Sequence, residues 1–284
     1  MDKSRLTIKV GDGLMDFSRP RIMGIINVTP DSFYSPSRKN CAVEAAETVG
    51  RMLNDGADMI DIGACSTRPG AAEVPEKEEY DRLAPVLDAV RKDYPHAVLS
   101  IDTFRSRIAE RCVQDWSVAI INDISGGLLD PDMWDTVAGL DVAYVLQHMR
   151  GTPATMASFT DYEDVTADVI ANLSRNVYEL RGKKVCDIII DPGFGFAKTI
   201  SQNFRLLDEL EEFCKMGCPV MAGLSRKSMI WKTLGIAPED SLAGTLAVET
   251  LAVERGADIL RVHDVKEAAD IIGITTKLIN TRHD

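Results

Sequence analysis

The chain has 284 residues, 45% hydrophobic and 27% charged, with 32 Lys and Arg against 44 Asp and Glu, a net charge of −12. That composition belongs to a folded globular protein and excludes both a disordered chain and a mini-protein that depends on staples. So acidic a chain lacks the basic footprint of a general nucleic-acid binder, and any anionic ligand has to be held by local Lys, Arg and backbone N–H groups.

In chain order, residues 6–10 and 14–17 flank Gly11-Asp12-Gly13 and read as a β-hairpin. Short, branched, apolar runs follow at 22–28, 57–63, 97–102, 118–123, 142–147, 187–191, 219–224 and 258–262. They are apolar throughout, as strands buried on both faces should be. Between them, segments 43–54, 76–94, 106–115, 163–181, 202–215, 241–255 and 265–279 carry apolar residues at helical spacing. Asp264 is placed to cap the last of these. Eight strand–helix units in about 250 residues predict an α/β fold, a (β/α)8 TIM barrel of one domain. The alternative, an open doubly wound sheet, usually carries a GxGxxG after its first strand, and none is present. Residues 1–20 are expected to form an N-terminal hairpin extension that caps the bottom of the barrel, and residues 21–284 the barrel itself.

No apolar run approaches the ~20 residues of a membrane span, and segment 1–10 alternates polar and apolar residues without a secretory apolar core. Cysteines at 41, 65, 112, 186, 214 and 218 show neither CxxC nor zinc-ligand spacing. A reduced, cytoplasmic protein without disulfides is expected. Asn27-Val28-Thr29 matches a glycosylation sequon, which has no meaning without export.

Polar residues collect at the carboxyl ends of the predicted strands: Asn27, Asp61, Asp102, Asn122 with Asp123, Gln147 with His148, Asp191, then Ser225-Arg226-Lys227, and Arg261 with His263. In a (β/α)8 barrel these ends meet at one mouth, where active sites sit. A lone Asp after a strand is commonly a helix cap, and Asp31 and Asp123 fit that role. Asp61, Asp102 and Asp191 lie in or at the end of apolar runs, where a carboxylate needs a partner or ligand. His96 and His283 read as surface residues. Segment 191–199, DPGFGFAKT, lacks phosphate-loop spacing, and its glycines suit close approach to a flat ligand. Asp102, Asn122 and Asp191 suit the donor–acceptor edge of a nitrogen heterocycle. Lys227, Arg261 and His263 supply positive charge where barrels commonly bind phosphate. The amide oxygen of Asn27 suits Mg²⁺ beside a diphosphate. Thr67 and Arg68, on a Pro-Gly loop, suit a second substrate.

Seven segments then carry a resemblance: IMGIINVTPDSF (22–33), DIGACSTRPGA (61–71), SIDTFR (100–105), INDISGG (121–127), DPGFGFAKT (191–199), GLSRKSMI (223–230) and RVHDV (261–265). In this order they resemble the motifs of the dihydropteroate synthases, whose fold is a (β/α)8 barrel. The resemblance implies a transferase of folate biosynthesis and a sulfonamide target. It would condense 6-hydroxymethyl-7,8-dihydropterin diphosphate with p-aminobenzoate to 7,8-dihydropteroate and diphosphate. It implies pterin binding by Asp102, Asn122, Asp191 and Lys227, and diphosphate binding by Asn27, Arg261 and His263, with Mg²⁺ beside Asn27. Around p-aminobenzoate it implies Phe33, Thr67, Arg68, Pro69, Phe196, Lys227 and Ser228. Asp102, Lys227, Arg261 and His263 would carry the chemistry, and a homodimer would form through the late helices.

Two positions depart from the family pattern. The first loop reads Tyr34-Ser35-Pro36-Ser37-Arg38-Lys39 without glycine, and Cys65 stands where Glu or Gln is common. Two other readings share the pterin residues: a methyltetrahydrofolate–corrinoid methyltransferase-like barrel, and a non-catalytic pterin-binding homologue. The first has no use for Thr67-Arg68-Pro69 or for Lys227 with Arg261 and His263. The second would have lost diphosphate or p-aminobenzoate residues. A glycosidase would need paired carboxylates but not this basic corner.

Overall fold

A computed structural model describes residues 6–28, 38–65 and 74–281. Strands β1 (Thr7–Val10) and β2 (Gly13–Asp16) form the antiparallel hairpin, turning at Gly11, whose φ of 58° suits glycine. Then come β3 (Arg21–Asn27), α1 (Arg38–Asn54), β4 (Met59–Gly63), α2 (Glu76–Asp93), β5 (Leu99–Asp102), α3 (Ser106–Trp116) and β6 (Ile120–Asp123). The chain continues through α4 (Met133–Leu140), β7 (Ala143–Gln147), α5 (Val165–Gly182), β8 (Ile188–Asp191), α6 (Ile200–Asp208) and β9 (Met221–Ala222). It ends with α7 (Ser228–Leu234), α8 (Leu242–Glu254), β10 (Ile259–Val262) and α9 (Val265–Thr281).

The eight parallel strands run in the order β8-β7-β6-β5-β4-β3-β10-β9, and a parallel bridge between Ile190 and Val220 brings the two ends together. This is the expected TIM barrel. Alternation along the strands separates two apolar layers. Ile22, Ile60, Leu99, Ile121, Tyr144 and Ile190 pack with the helices. Met23, Met59, Ile120, Val145, Ile189 and Ile259 form a second cluster with Ile8, Val10, Met15 and Phe17 of the hairpin. The hairpin thus closes the amino-terminal end, and the Lys9 N–H donates to Asp187 Oδ1 at 2.8 Å, just before β8.

Several expectations change. Strand 219–224 contracts to β9, whose ladder with β10 covers Met221 and Ala222 alone, while Pro219 offers its carbonyl to the Ile190 N–H and Val220 bridges Ile190. Helix 202–215 divides into α6 and a 3₁₀ segment, Leu210–Met216, although Leu206, Leu207, Leu210 and Phe213 stay buried in sequence. The short α4 and α7 had no legible periodicity. Asp123 does not cap a helix. It is buried, and its carboxylate accepts from the Ser125 N–H and Oγ–H, the Gly127 N–H and the Tyr144 hydroxyl, at 2.7–2.8 Å. It therefore anchors the turn after β6. Among the described residues no two cysteines form a disulfide, and His96 is exposed. Among the described residues no helix is long and apolar enough to cross a membrane. Asp31, Phe33, Thr67, Arg68, Pro69 and His283 lie outside the described residues.

Candidate active site

The alternation that points Met59, Ile120, Ile189 and Ile259 into the barrel also points Asp61, Asn122, Asp191 and Arg261 inward, two residues nearer the mouth. Apolar layers at the bottom thus give way to polar residues at the top. Gly63 at the end of β4 leaves room for this. A Cβ there would lie 3.1 Å from Cβ of Asp102.

Asp61 is fully buried and accepts three donors. Ser100 Oγ donates to its Oδ1 at 2.6 Å, Asn122 Nδ2 to its Oδ2 at 2.9 Å, and Arg261 Nε to the same oxygen at 2.7 Å. Arg261 Nη2 reaches across to Asp102 Oδ2, also at 2.7 Å. One guanidinium thus bridges two carboxylates, a charge-assisted arrangement that satisfies all three ions. Burial pushes Asp102 up to about 7 against the pull of Arg261, with Asp61, Glu79 and Asp123 adding to the rise. Burial also raises Asp191, opposed by the Gly193 N–H, which donates to Oδ1 at 2.7 Å, and by Lys227, Arg261 and Lys198.

With its Nδ2 committed to Asp61, Asn122 directs Oδ1 the other way. That oxygen is buried and has no hydrogen-bond partner among the described residues. A buried acceptor costs free energy unless a donor reaches it. Lys227 Nζ sits 4.5 Å from the centroid of the Phe196 ring, a cation–π contact. Burial lowers Lys227 to about 8, helped by Arg261 and resisted by Asp191 and Asp102. Ser228 begins α7 immediately after Lys227. His263 is exposed at the mouth beyond β10, with Nδ1 3.0 Å from Ser225 Oγ. Arg226 adopts a left-handed φ of 55° and is held by a two-bond pair with Asp264, at 2.7 and 3.1 Å. The Asp264 carboxylate is thereby committed to Arg226. Asn27 ends β3 with an exposed side chain. Among the described residues no three His, Cys, Asp or Glu side chains group to hold a metal.

The structure therefore brings Asp102, Asn122, Asp191, Lys227, Arg261, Phe196, Ser228, His263 and Asn27 to one end of the barrel. Arg261 meets Asp61 and Asp102 there rather than standing free. Asp61, unassigned in the sequence, emerges as the hub of this arrangement, and its place inside an apolar run was the legible signal. His148 stands among the polar residues at the predicted strand ends and Lys198 in segment 191–199, but nothing in the sequence pairs them. An apolar cluster of Ile124, Met149, Met156, Phe196 and Ala197 sits beside them in the loops of the mouth.

Fold and site define a (β/α)8 barrel whose mouth gathers carboxylates, an amide and basic side chains, a lining that suits the polar edge of a nitrogen heterocycle. The profile of the pterin binding enzymes matches residues 23–263, and the chain belongs to that family. Within it the chain is similar to the dihydropteroate synthase of Escherichia coli (strain K12), 38% identical over 274 residues that cover 95% of each chain. The structure resembles the Yersinia pestis dihydropteroate synthase with a sulfonamide drug complex, at a TM-score of 0.90 and 35% identity, covering 97% of this chain and all of that one. It also resembles the Xanthomonas albilineans enzyme with 4-aminobenzoic acid, at a TM-score of 0.87 and 37% identity, covering 96% and 97%.

Proposed function

We propose that this chain condenses 6-hydroxymethyl-7,8-dihydropterin diphosphate with p-aminobenzoate, releasing diphosphate and forming 7,8-dihydropteroate in folate biosynthesis. The observation that carries the reading is Oδ1 of Asn122, buried without a hydrogen-bond partner among the described residues and oriented by the Nδ2 bond to Asp61, beside inward-pointing Asp102 and Asp191. A pterin edge rich in N–H groups supplies the donor that the Asn122 oxygen lacks among the described residues, with further N–H groups for the two carboxylates.

Asp102, Asn122, Asp191 and Lys227 bind the pterin. Asn27, Arg261 and His263 receive the diphosphate. Phe196, Lys227 and Ser228 line the p-aminobenzoate site with Phe33, Thr67, Arg68 and Pro69, and sulfonamides compete there. The exposed amide oxygen of Asn27 suits Mg²⁺, which takes few protein ligands and relies on substrate phosphates. A Mg²⁺ held beside Asn27 would supply counter-charge to the diphosphate. Arg261 adds positive charge at the same corner, while His263, held down at about 4 by burial and by Arg261, is neutral and offers a ring N–H. The C–O bond to diphosphate breaks, and Asp102 stabilises the cationic methylene electrostatically. The arylamine nitrogen forms the new C–N bond and releases its proton to solvent. Catalysis needs no covalent enzyme intermediate.

Residues 1–20 act as a structural extension to the catalytic barrel of 21–284, and the protein works in the cytoplasm as a homodimer. Leu251 on α8 and Ile274 and Leu278 on α9 are exposed, Ile274 at 73%, beside a groove lined by Leu246, Ile271 and Thr275. An apolar face of this kind suits a second copy. The test of function is diphosphate release from the pure protein with dihydropterin diphosphate and Mg²⁺. Release that depends on p-aminobenzoate, with dihydropteroate formed in equal amount, is expected. Pterin binding without turnover would sink the reading.

A further inference from the structure

The turn after β8 has left-handed backbone at Gly193, Gly195 and Ala197, with φ of 73°, 82° and 51°. Ala197 has a Cβ and pays for this conformation, so its surroundings must hold it there. The turn is wedged between two parts of the site. A Cβ on Gly193 would fall 2.0 Å from the His148 carbonyl oxygen, and one on Gly195 would fall 3.3 Å from Cδ of Lys227. The turn also carries the Phe196 ring that meets the Lys227 ammonium. It is a wall of the site, and its placement decides where Lys227 can lie.

Two side chains stitch this wall. Asn203 Oδ1 accepts the Gly195 N–H at 2.6 Å, while its Nδ2 donates to the Lys198 and Thr199 carbonyls. Lys198 turns back under the loop and is buried. Its Nζ lies 2.9 Å from the Gly193 carbonyl oxygen, 2.9 Å from that of Phe196 and 3.1 Å from His148 Nδ1. An ammonium has three N–H groups, and here they meet three acceptors. The charged groups that face it are Asp191 from β8, which favours its proton, and Lys227 and Arg150, which oppose it. Burial with Lys198 and Arg150 holds His148 down at about 2, so its ring is neutral and can accept.

We propose that Lys198 is a positioning residue for the condensation: by tying His148 to the carbonyls of Gly193 and Phe196 it holds the 193–197 turn, and through it Phe196 and Lys227, where the arylamine substrate docks. The identity of that substrate rests on the function proposed above, whereas the stitching of the turn does not.

Lys198→Met keeps the apolar stem and removes all three donors. Amide hydrogen exchange and steady-state kinetics of that variant test the proposal. Exchange at Gly195, Phe196 and Ala197 is expected to accelerate by about tenfold or more, as the loss of charged hydrogen bonds implies, with the barrel strands unchanged. KM for p-aminobenzoate is expected to rise about tenfold and KM for the pterin diphosphate by a clearly smaller factor, because Lys227 serves both substrates while Asp102 and Asn122 hold the pterin from strands the turn does not touch. Lys198→Gln retains two donors and is expected to fall between the two, which keeps the test usable if Lys198→Met folds poorly. Unchanged exchange in the turn, or an equal rise in both KM values with faster exchange across the barrel, overturns the proposal. Faster exchange confined to the turn in a protein whose wild type makes no dihydropteroate would uphold the stitching and reject the function.

Discussion

Asp102 meets Arg261 and faces the mouth, yet it makes no contribution to the apolar layers. Asp102→Asn keeps its shape and removes its charge. Turnover is expected to fall on the order of a hundredfold, the scale of losing one electrostatic stabiliser, with a small change in the unfolding midpoint. Unchanged kcat would remove Asp102 from the chemistry. Glu249 on α8 is a different case, buried at 1% exposure with its Oε1 unpartnered among the described residues. Burial, then the charge of Asp264, pushes it up to about 8. A carboxyl raised in the folded state contributes stability that is fully present below its unfolded value of 4.5 and is lost as pH rises through about 8. Glu249→Gln is therefore expected to match the wild type near pH 4.5 and to be the more stable protein at alkaline pH. Urea midpoints across that range check it, and a constant difference would count against it. The Lys198 ammonium, lowered to about 7 by burial, offers a third test. Above that pH a neutral amine still serves both carbonyls, and His148 can meet its lone pair by moving the ring proton to Nδ1. Nitrogen NMR of the His148 ring is expected to show the proton passing from Nε2 to Nδ1 near pH 7.

At the scale of elements, the hairpin of β1 and β2 acts as the floor of the barrel. Phe17, at 2% exposure, packs with Ile8, Met15 and the inward residues Met23, Met59 and Ile259. Phe17→Ala leaves a cavity far from the mouth and is expected to cost about 3–4 kcal/mol of stability. KM for both substrates should stay unchanged, since the polar residues lie at the opposite end of the strands. Equilibrium denaturation with parallel kinetics reads both. The β8–α6 connection works in the opposite sense. It sends Phe194 into the helix-side core and holds the site wall, with Thr199 and Gln202 forming a capping box that starts α6.

For the whole molecule, net charge and surface set the terms of association. The apolar residues Ile274 and Leu278 stand one helical turn apart on α9, and Ile274 lines a groove with Leu246 and Thr250 of α8. Ile274→Glu places a charge on that face and is expected to give a monomer by sedimentation, where the proposed dimer predicts that the wild type sediments as two chains. Equal sedimentation of both proteins would move the interface elsewhere. The charge of −12 makes the cationic corner of the mouth a local feature, so binding of the diphosphate substrate is expected to weaken as salt is raised.

The barrel was legible because a parallel strand buried on both faces must be apolar along its length, and eight such runs alternate with amphipathic segments. The site was legible in outline for the complementary reason: Asp61, Asp102, Asn122, Asp191 and Arg261 break those runs at the same end, at inward parity. The tertiary structure alone decided who meets whom. Asp61 and Arg261 are 200 positions apart, and Lys198 and His148 are 50 apart, so no local pattern could pair them. It also decided that Asp123 anchors a turn and that the segment after 208 tightens into a 3₁₀ helix, because both depend on what packs around them. Residue type and period are properties of the chain, whereas the partner of a buried polar group is a property of the closed barrel.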